Sequence, residues 1–222
     1  MRLVLVRHGE TIWNAEGRIH GRADIELSDR GKEQAKNVSQ MLALENPVKI
    51  FSSTLKRAVK TAELIALPHS MQVEQRHELD EIDYGVFEGV SFRELDQDEK
   101  LGKLWADRRK DKYNFTPPED GESFHEMDEK RIKPFVKEML EKYSKKTVII
   151  VAHSGTNRLI AGNCLHLPVE KMVKIWQPND CVYFIDCSEK KCFYSHQILG
   201  SDKPKTGYLT VEDIKKWEDM FK

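Results

Sequence analysis

The sequence is short of several things at once. Its only cysteines are Cys164, Cys181, Cys187 and Cys192, none of them in the first half and no two spaced as Cys-x-x-Cys. Neither a disulfide framework nor a zinc site is expected from that pattern, and a reducing compartment fits it. No apolar run approaches the length of a membrane span. The one near the N-terminus, Leu3-Val4-Leu5-Val6, is strand-length and too short for the core of a signal peptide. An excess of charge is also missing, since 36 Lys and Arg stand against 37 Asp and Glu for a net charge of -1. That balance carries no electrostatic footprint for nucleic acid, so any positive site must be local. There is no internal repeat and no low-complexity tract. The expectation is a cytoplasmic protein with neither a nucleic-acid nor a membrane partner, monomer or homo-oligomer being undecided.

What is present is a globular balance, 39% hydrophobic and 33% charged over 222 residues, enough for one large domain. Leu3-Val4-Leu5-Val6 has no polar alternation and reads as a strand buried on both faces, as in a parallel sheet. It stops at Arg7-His8-Gly9, where open α/β sheets bind their ligands. A fixed guanidinium beside an imidazole at a strand end points to an anion site with a potential nucleophile in it. Thr147-Val148-Ile149-Ile150-Val151-Ala152 repeats the pattern and ends at His153-Ser154-Gly155. If the two strands are neighbours, His8 and His153 share one crevice. The helix following His153 then aims its free N–H groups at the same place.

Between these strands, residues 12–24 read as a loop from which Asn14 or Arg22 can reach a ligand held by Arg7. Ser28 is the N-cap of a helix running to Asn46-Pro47, and Val48-Lys49-Ile50-Phe51 is a second strand. Thr54 is expected to cap the next helix, with Arg57 in its first turn. A cation at that positive end is unfavourable unless an anion sits there. The stretch from Leu79 to Gly89 threads apolar residues through acidic ones. Either Glu81 or Asp83 is a candidate general acid, and composition does not choose between them. Residues 90–122 turn highly charged around Leu95, Leu104 and Trp105 and read as a helical insertion, a candidate lid. Its Trp105, Arg108, Arg109, Lys112, Tyr113 and Phe115 hint at an anionic or ring-bearing leaving group.

Ser123 opens a capping box, and Pro134 should bend the helix that comes next or mark its true start. Asp180–Asp186 and Cys192–His196 read as a strand pair joined by Ser188-Glu189-Lys190-Lys191. Thr210 caps a short amphipathic helix carrying Val211, Ile214, Trp217 and Phe221. The expected fold is therefore α/β: a three-layer α/β/α sandwich around a mostly parallel sheet, with the helical insertion over the site. Residues 1–200 form a single domain and 201–222 a C-terminal tail.

Taken together, Arg7-His8-Gly9-Glu10-Thr11, Ser52-Ser53-Thr54-Leu55-Lys56-Arg57-Ala58, Glu81-Ile82-Asp83-Tyr84-Gly85-Val86-Phe87-Glu88-Gly89 and His153-Ser154-Gly155 resemble the histidine phosphatase superfamily, in its phosphoglycerate-mutase-like branch. The resemblance implies metal-independent phosphoryl transfer through a phosphohistidine, with no cofactor. His8 matches the nucleophile, and Arg7, Arg57 and His153 match the phosphate pocket. Asn14 and the Ser154 backbone look like further phosphate contacts, and Glu81 matches the proton donor. Two departures stand out: Ser154 replaces the glycine of a more usual His-Gly-Gly, and Asp24-Ile25-Glu26-Leu27 replaces Asp-x-Pro-Leu near Arg22. Pro118-Glu119-Asp120-Gly121-Glu122-Ser123 and Gly155-Thr156-Asn157-Arg158 look like the small phosphatases, including those acting on α-ribazole phosphate. The expected activity is hydrolysis of a small phosphorylated metabolite such as α-ribazole phosphate or phosphoserine. The alternatives are a phosphoglycerate mutase needing a bisphosphoglycerate primer and a non-catalytic phospholigand-binding module. A metal phosphatase using Asp80, Asp83 and the histidines is a weaker reading.

Overall fold

The computed structural model describes residues 1–188 and 192–210. In chain order the strands are β1 (Arg2–Arg7), β2 (Pro47–Ser52), β3 (Val73–Gln75), β4 (Thr147–Ala152), β5 (Cys181–Cys187), β6 (Cys192–Ile198) and β7 (Lys205–Thr206). The helices are α1 (Ile12–Ala15), α2 (Asp29–Leu42), α3 (Lys56–Ala66), α4 (Phe92–Gln97), α5 (Glu99–Lys110), α6 (Phe124–Met127), α7 (Lys133–Lys142), α8 (Ser154–Cys164) and α9 (Val169–Met172). One seven-stranded sheet has the order β3-β2-β4-β1-β5-β6-β7. Its first four strands are parallel, and β5, β6 and β7 continue it antiparallel.

The apolar runs divide between two cores. Leu3, Leu5, Val148 and Ile150 point to one face, with Phe135, Met139, Leu159 and Ile160 from α7 and α8. Val4, Val6, Ile149 and Val151 point to the other, against Val38, Leu42, Ala58 and Ile65 from α2 and α3. Both strands are buried on both faces, as their unbroken apolar sequence requires. This is the α/β sandwich read from the sequence.

The register does the decisive positioning. Arg7 pairs with Ala152 across β1 and β4, and the His8 N–H donates to the Ala152 carbonyl at 3.0 Å. His8 and His153 are therefore the first residues past adjacent strand ends. The return of the chain from β1 runs close against α2: a Cβ on Gly31 would stand 1.9 Å from the Glu10 carbonyl oxygen. Only glycine lets the two backbones cross there.

Local structure departs from expectation at several points. Residues 12–24 contain a helical turn, α1, held by reciprocal Thr11 and Asn14 hydrogen bonds. The Ser28 cap is present, but α2 ends at Leu42, short of Asn46. Thr54 caps nothing: α3 begins after Leu55 without a side-chain cap. Both the N–H and the hydroxyl of Thr54 go instead to the Asp80 carboxylate, a stronger acceptor than any backbone partner. Residues 90–122 form the helical pair α4 and α5, joined at Asp98, which caps α5. Pro134 sits in the first turn of α7, and the chain before it, Asp128–Ile132, widens into a π-turn. Proline's missing N–H and ring force this local rearrangement of the helix.

Cys187 and Cys192 are bonded as a disulfide, which corrects the expectation drawn from cysteine spacing. They are register partners at the turn end of β5 and β6, a proximity that Cys-x-x-Cys spacing cannot reveal. The reducing compartment read from cysteine usage loses that support. Residues 189–191 of the connecting turn and the amphipathic helix expected after Thr210 lie outside the described residues. Among the described residues, no helix is long and apolar enough to cross a membrane.

Candidate active site

The ends of β1 and β4 open into a cavity of about 470 Å³ lined by Arg7, His8, Asn14, Arg57, Glu81 and Ser154, among others. His8 is buried and its Nδ1–H donates to the Gly9 carbonyl at 2.8 Å. That bond selects the tautomer in which Nε2 carries a lone pair. Burial, with Arg57 and Arg7 nearby, pushes the imidazole well below its ordinary pKa, so at neutral pH the lone pair is available. The His153 ring lies 5.1 Å from that of His8, centroid to centroid. Its Nε2 is 2.8 Å from the Ser53 hydroxyl. Because Ser53 donates its own hydrogen to Asp80 at 2.8 Å, the imidazole is the donor in that pair. Nδ1 of His153 is left buried and without a partner.

Arg7 and Arg57 are fixed by carbonyls. Arg7 Nη1 donates to Gln177, and Arg57 donates to Ala23 and Gly21. Burial pulls both guanidinium groups down to about 10, which still leaves them charged at neutral pH. The Nε of each is buried and unpartnered. Buried polar atoms are almost always satisfied, so two such guanidinium N–H groups in a single site call for an acceptor from outside, and the His153 Nδ1 can join them as a donor only by taking up a proton. The oxygens of a tetrahedral anion supply one. Arg57 occupies the first turn of α3, where the sequence made a cation anomalous, and Glu81 is the carboxylate that most offsets its burial.

Glu81 rather than Asp83 reaches this cavity. Its carboxylate accepts from the Gly155 N–H at 3.0 Å and from its neighbour Ile82. Asp83 turns away, accepting from the Gly85 N–H. Ser154 begins α8, so its N–H has no acceptor within the helix. Asn14 lines the cavity with its Oδ1 occupied by Thr11, which leaves its amide N–H groups as donors. Arg22 is not brought in. It is half-exposed and held by Glu122 and Asp83.

The structure adds residues that sequence reasoning passed over. His20 lies in the cavity, hydrogen-bonded to Thr11, and burial beside Arg57 and Arg7 drops its pKa to about 3. Asn179 donates to the His8 carbonyl at 2.7 Å. Tyr84, Arg158 and Trp176 complete the outer wall. Of the six insertion residues noted in the sequence, Trp105, Arg108 and Lys112 line the cavity, while Arg109, Tyr113 and Phe115 do not. Asp80 is committed to Ser53 and Thr54. No group of three His, Cys, Asp or Glu suited to a metal occurs among the described residues.

A mostly parallel sheet with a buried imidazole, a carboxylate and unsatisfied guanidinium N–H groups at its strand ends defines an α/β fold with an anion-sized site. The chain belongs to the histidine phosphatase superfamily (branch 1), whose family model matches residues 3–197, and it is a phosphatase. It is 34% identical over 177 residues to phosphoserine phosphatase 1 of Hydrogenobacter thermophilus, covering 79% of this chain and 80% of that one. It is 29% identical over 202 residues to the adenosylcobalamin/alpha-ribazole phosphatase of Escherichia coli, covering 90% and 96% respectively. The crystal structure of the alpha-ribazole phosphatase from Shigella flexneri superposes with a TM-score of 0.78 at 28% identity, over 93% of this chain and all of that one.

Proposed function

We propose that this phosphatase hydrolyses small phosphomonoesters through a phosphohistidine on His8, without a metal. Nε2 of His8 attacks phosphorus as the ester P–O bond breaks, and Glu81 gives its proton to the departing alcohol oxygen. Glu81, now a carboxylate, takes a proton from water. The water oxygen attacks phosphorus, the P–Nε2 bond breaks, and inorganic phosphate leaves. Arg7, Arg57, His153, Asn14 and the Ser154 N–H hold the equatorial oxygens and stabilise the charge that spreads over them. His153 keeps its Nε2–H on Ser53, so an incoming dianion favours a second proton on Nδ1. The fixed tetrahedral cradle, with no solvent to reorganise, is where most of the rate enhancement arises.

The observation that carries this reading is the set of unpartnered buried nitrogens on Arg7, Arg57 and His153 around a His8 whose tautomer leaves Nε2 free. Glu81 separates catalysis from mere binding, because a phosphate-binding module has no use for a carboxylate next to the anion. Similarity to a phosphoserine phosphatase and to an alpha-ribazole phosphatase supports phosphoserine and α-ribazole phosphate as the first candidate substrates. The test is phosphate release, in the presence of a chelator, from a panel of these esters, 3-phosphoglycerate, sugar phosphates and nucleotides, with His8→Ala as the blank. Release that vanishes in the variant supports the proposal. Release that survives it, or that chelator abolishes, overturns it. With no release from any ester, a primer-dependent mutase assay is the next discriminating measurement.

A further inference from the structure

Asp80 stands directly before the proposed acid yet lies outside the cavity lining, and the mechanism above gives it no task. Its carboxylate is nonetheless held from several sides. Oδ1 accepts from the Ser53 hydroxyl and from the Thr54 N–H, each at 2.8 Å, just past the end of β2. The Thr54 hydroxyl bonds to the same carboxylate, and Nδ1 of the exposed His77 lies 3.3 Å from Oδ2. The Asp80 carbonyl is fixed as well, by Thr156 from α8 and by Arg131. The partner with chemical consequence is Ser53. A serine hydroxyl has one hydrogen and two lone pairs. Here the hydrogen goes to Asp80, one lone pair takes the Leu55 N–H at 3.1 Å, and the other takes Nε2 of His153 at 2.8 Å. Ser53 and His153 are fully buried, so bulk water does not compete for these bonds.

A second arrangement satisfies the same atoms: Ser53 turns its hydrogen to Nε2, and His153 carries its own hydrogen on Nδ1, the nitrogen without a partner in the protein. Asp80 decides between the two, because a hydroxyl donates more strongly to an ionised carboxylate than to a neutral imidazole. We infer that Asp80 is a positioning residue that, through Ser53, keeps the hydrogen of free His153 on Nε2, so that a phosphoryl group binds there only together with a proton taken up at Nδ1. The inference rests on the reading of His153 as part of the phosphate cradle and deepens it. Without a ligand, burial and the facing Arg57, His8, Arg7 and His20 keep the imidazole neutral. With one, the dianion at Nδ1 and Asp80 behind Ser53 both favour the imidazolium. The proton comes from the monoanionic ester or from water and departs with inorganic phosphate, so a full cycle leaves the relay unchanged. Two neighbours must be told apart from His153 in any test. Glu81, held by the Gly155 N–H, is another group able to take a proton beside the anion, and the charge of Asp80 also acts on Arg57.

The test is NMR of the chain isotopically labelled at its histidine nitrogens, where each ring nitrogen reports whether it carries hydrogen. The signals lost in His153→Gln identify His153. Sulfate is the probe, a tetrahedral dianion that does not itself titrate near neutral pH. In the free wild-type chain, hydrogen is expected on Nε2 and not on Nδ1, and sulfate adds it to Nδ1. Ser53→Ala cuts the relay and leaves the charge of Asp80 in place. Its free His153 is expected to carry hydrogen on Nδ1, and sulfate adds none. Asp80→Asn leaves Ser53 an acceptor but removes the charge. The tautomer then stays, while the pH at which sulfate-bound His153 gives up its second proton falls by about one pH unit, a roughly tenfold change in that equilibrium. If Ser53→Ala does not fold, the wild-type and Asp80→Asn spectra still decide. Hydrogen on Nδ1 of free wild-type His153, a His153 that sulfate leaves neutral, or proton loss at the wild-type pH in Asp80→Asn overturns the proposal. No turnover is involved, so the spectra stand even if His8→Ala shows the phosphohistidine route to be wrong. Conversely, His8-dependent phosphate release by a chain whose free His153 carries hydrogen on Nδ1 removes the role of Asp80 alone.

Discussion

The Glu81 carboxylate and the Gly155 backbone are in direct contact: the Gly155 N–H donates to Oε2 at 3.0 Å, and a Cβ on Gly155 would stand 2.3 Å from Oε1. One residue therefore both holds the proposed acid and leaves room for it. Gly155→Ala is expected to keep the fold, since its φ is not in the left-handed region, while pushing the carboxylate aside. A displacement of this size costs up to about 100-fold in rate. Activity on alkyl phosphates falls by that order with thermal stability little changed. A Gly155→Ala chain with wild-type kcat would remove Glu81 from the chemistry.

His8 and Glu81 should separate by leaving group. His8→Ala abolishes turnover of every ester. Glu81→Gln keeps the hydrogen bond from Gly155 but has no proton to give, so it slows alkyl esters by about 100- to 10,000-fold. The same variant affects p-nitrophenyl phosphate far less in the first step, because that alcohol leaves unprotonated. Single-turnover release of the alcohol reads this step apart from hydrolysis of the phosphoenzyme. Equal losses on both esters count against Glu81 as the acid.

Much of this site was legible because its residues sit where chain geometry is simplest. Buried strands such as Leu3–Val6 and Thr147–Ala152 announce themselves by unbroken apolar composition, and the residues just past a strand end have little freedom of place. His8, Arg7 and His153 were therefore visible, and Arg57 was marked by its wrong-signed position on α3. Arg22 failed for the opposite reason: it lies in a loop, and its partners Asp83 and Glu122 are distant in sequence. His20 comes from the same loop and no local pattern distinguishes it from Arg22. Thr54 looked like a cap because caps are local, whereas the Asp80 carboxylate that captures it is a tertiary neighbour. Cys187 and Cys192 likewise depend on β5–β6 register, which spacing alone does not give.

Three buried imidazoles make the fold acid-sensitive. His8 and His153 are pushed well below the ordinary value and His20 to about 3, in each case chiefly by burial. Folded, they stay neutral; unfolded, they take up protons near pH 6.5. The unfolded state thus binds more protons below that pH. Their contribution is intact above it and is lost as pH falls, each group steepening the decline by about 1.4 kcal/mol per pH unit. Tm should drop sharply between pH 6.5 and 5, and inorganic phosphate should restore part of it by favouring protonated His153. His20→Asn should flatten the slope, and an unchanged slope would remove His20 from the account.

Lys112 acts with the same sign, but in a window that includes neutral pH. Its ammonium is lowered from 10.5 to about 6 by burial and by Arg158 and Arg108. Between those values the unfolded chain holds a proton that the folded chain does not, so stability rises with pH across that window and is reduced at pH 7. Lys112→Met keeps the aliphatic stem and removes the ionisable group. It should raise the Tm of the ligand-free chain at pH 7. The gain should shrink as pH rises toward 10.5, where the unfolded chain also loses the proton. A lower Tm for Lys112→Met at pH 7 would mean that the hydrogen bond to Val173 outweighs the cost of burying the amine.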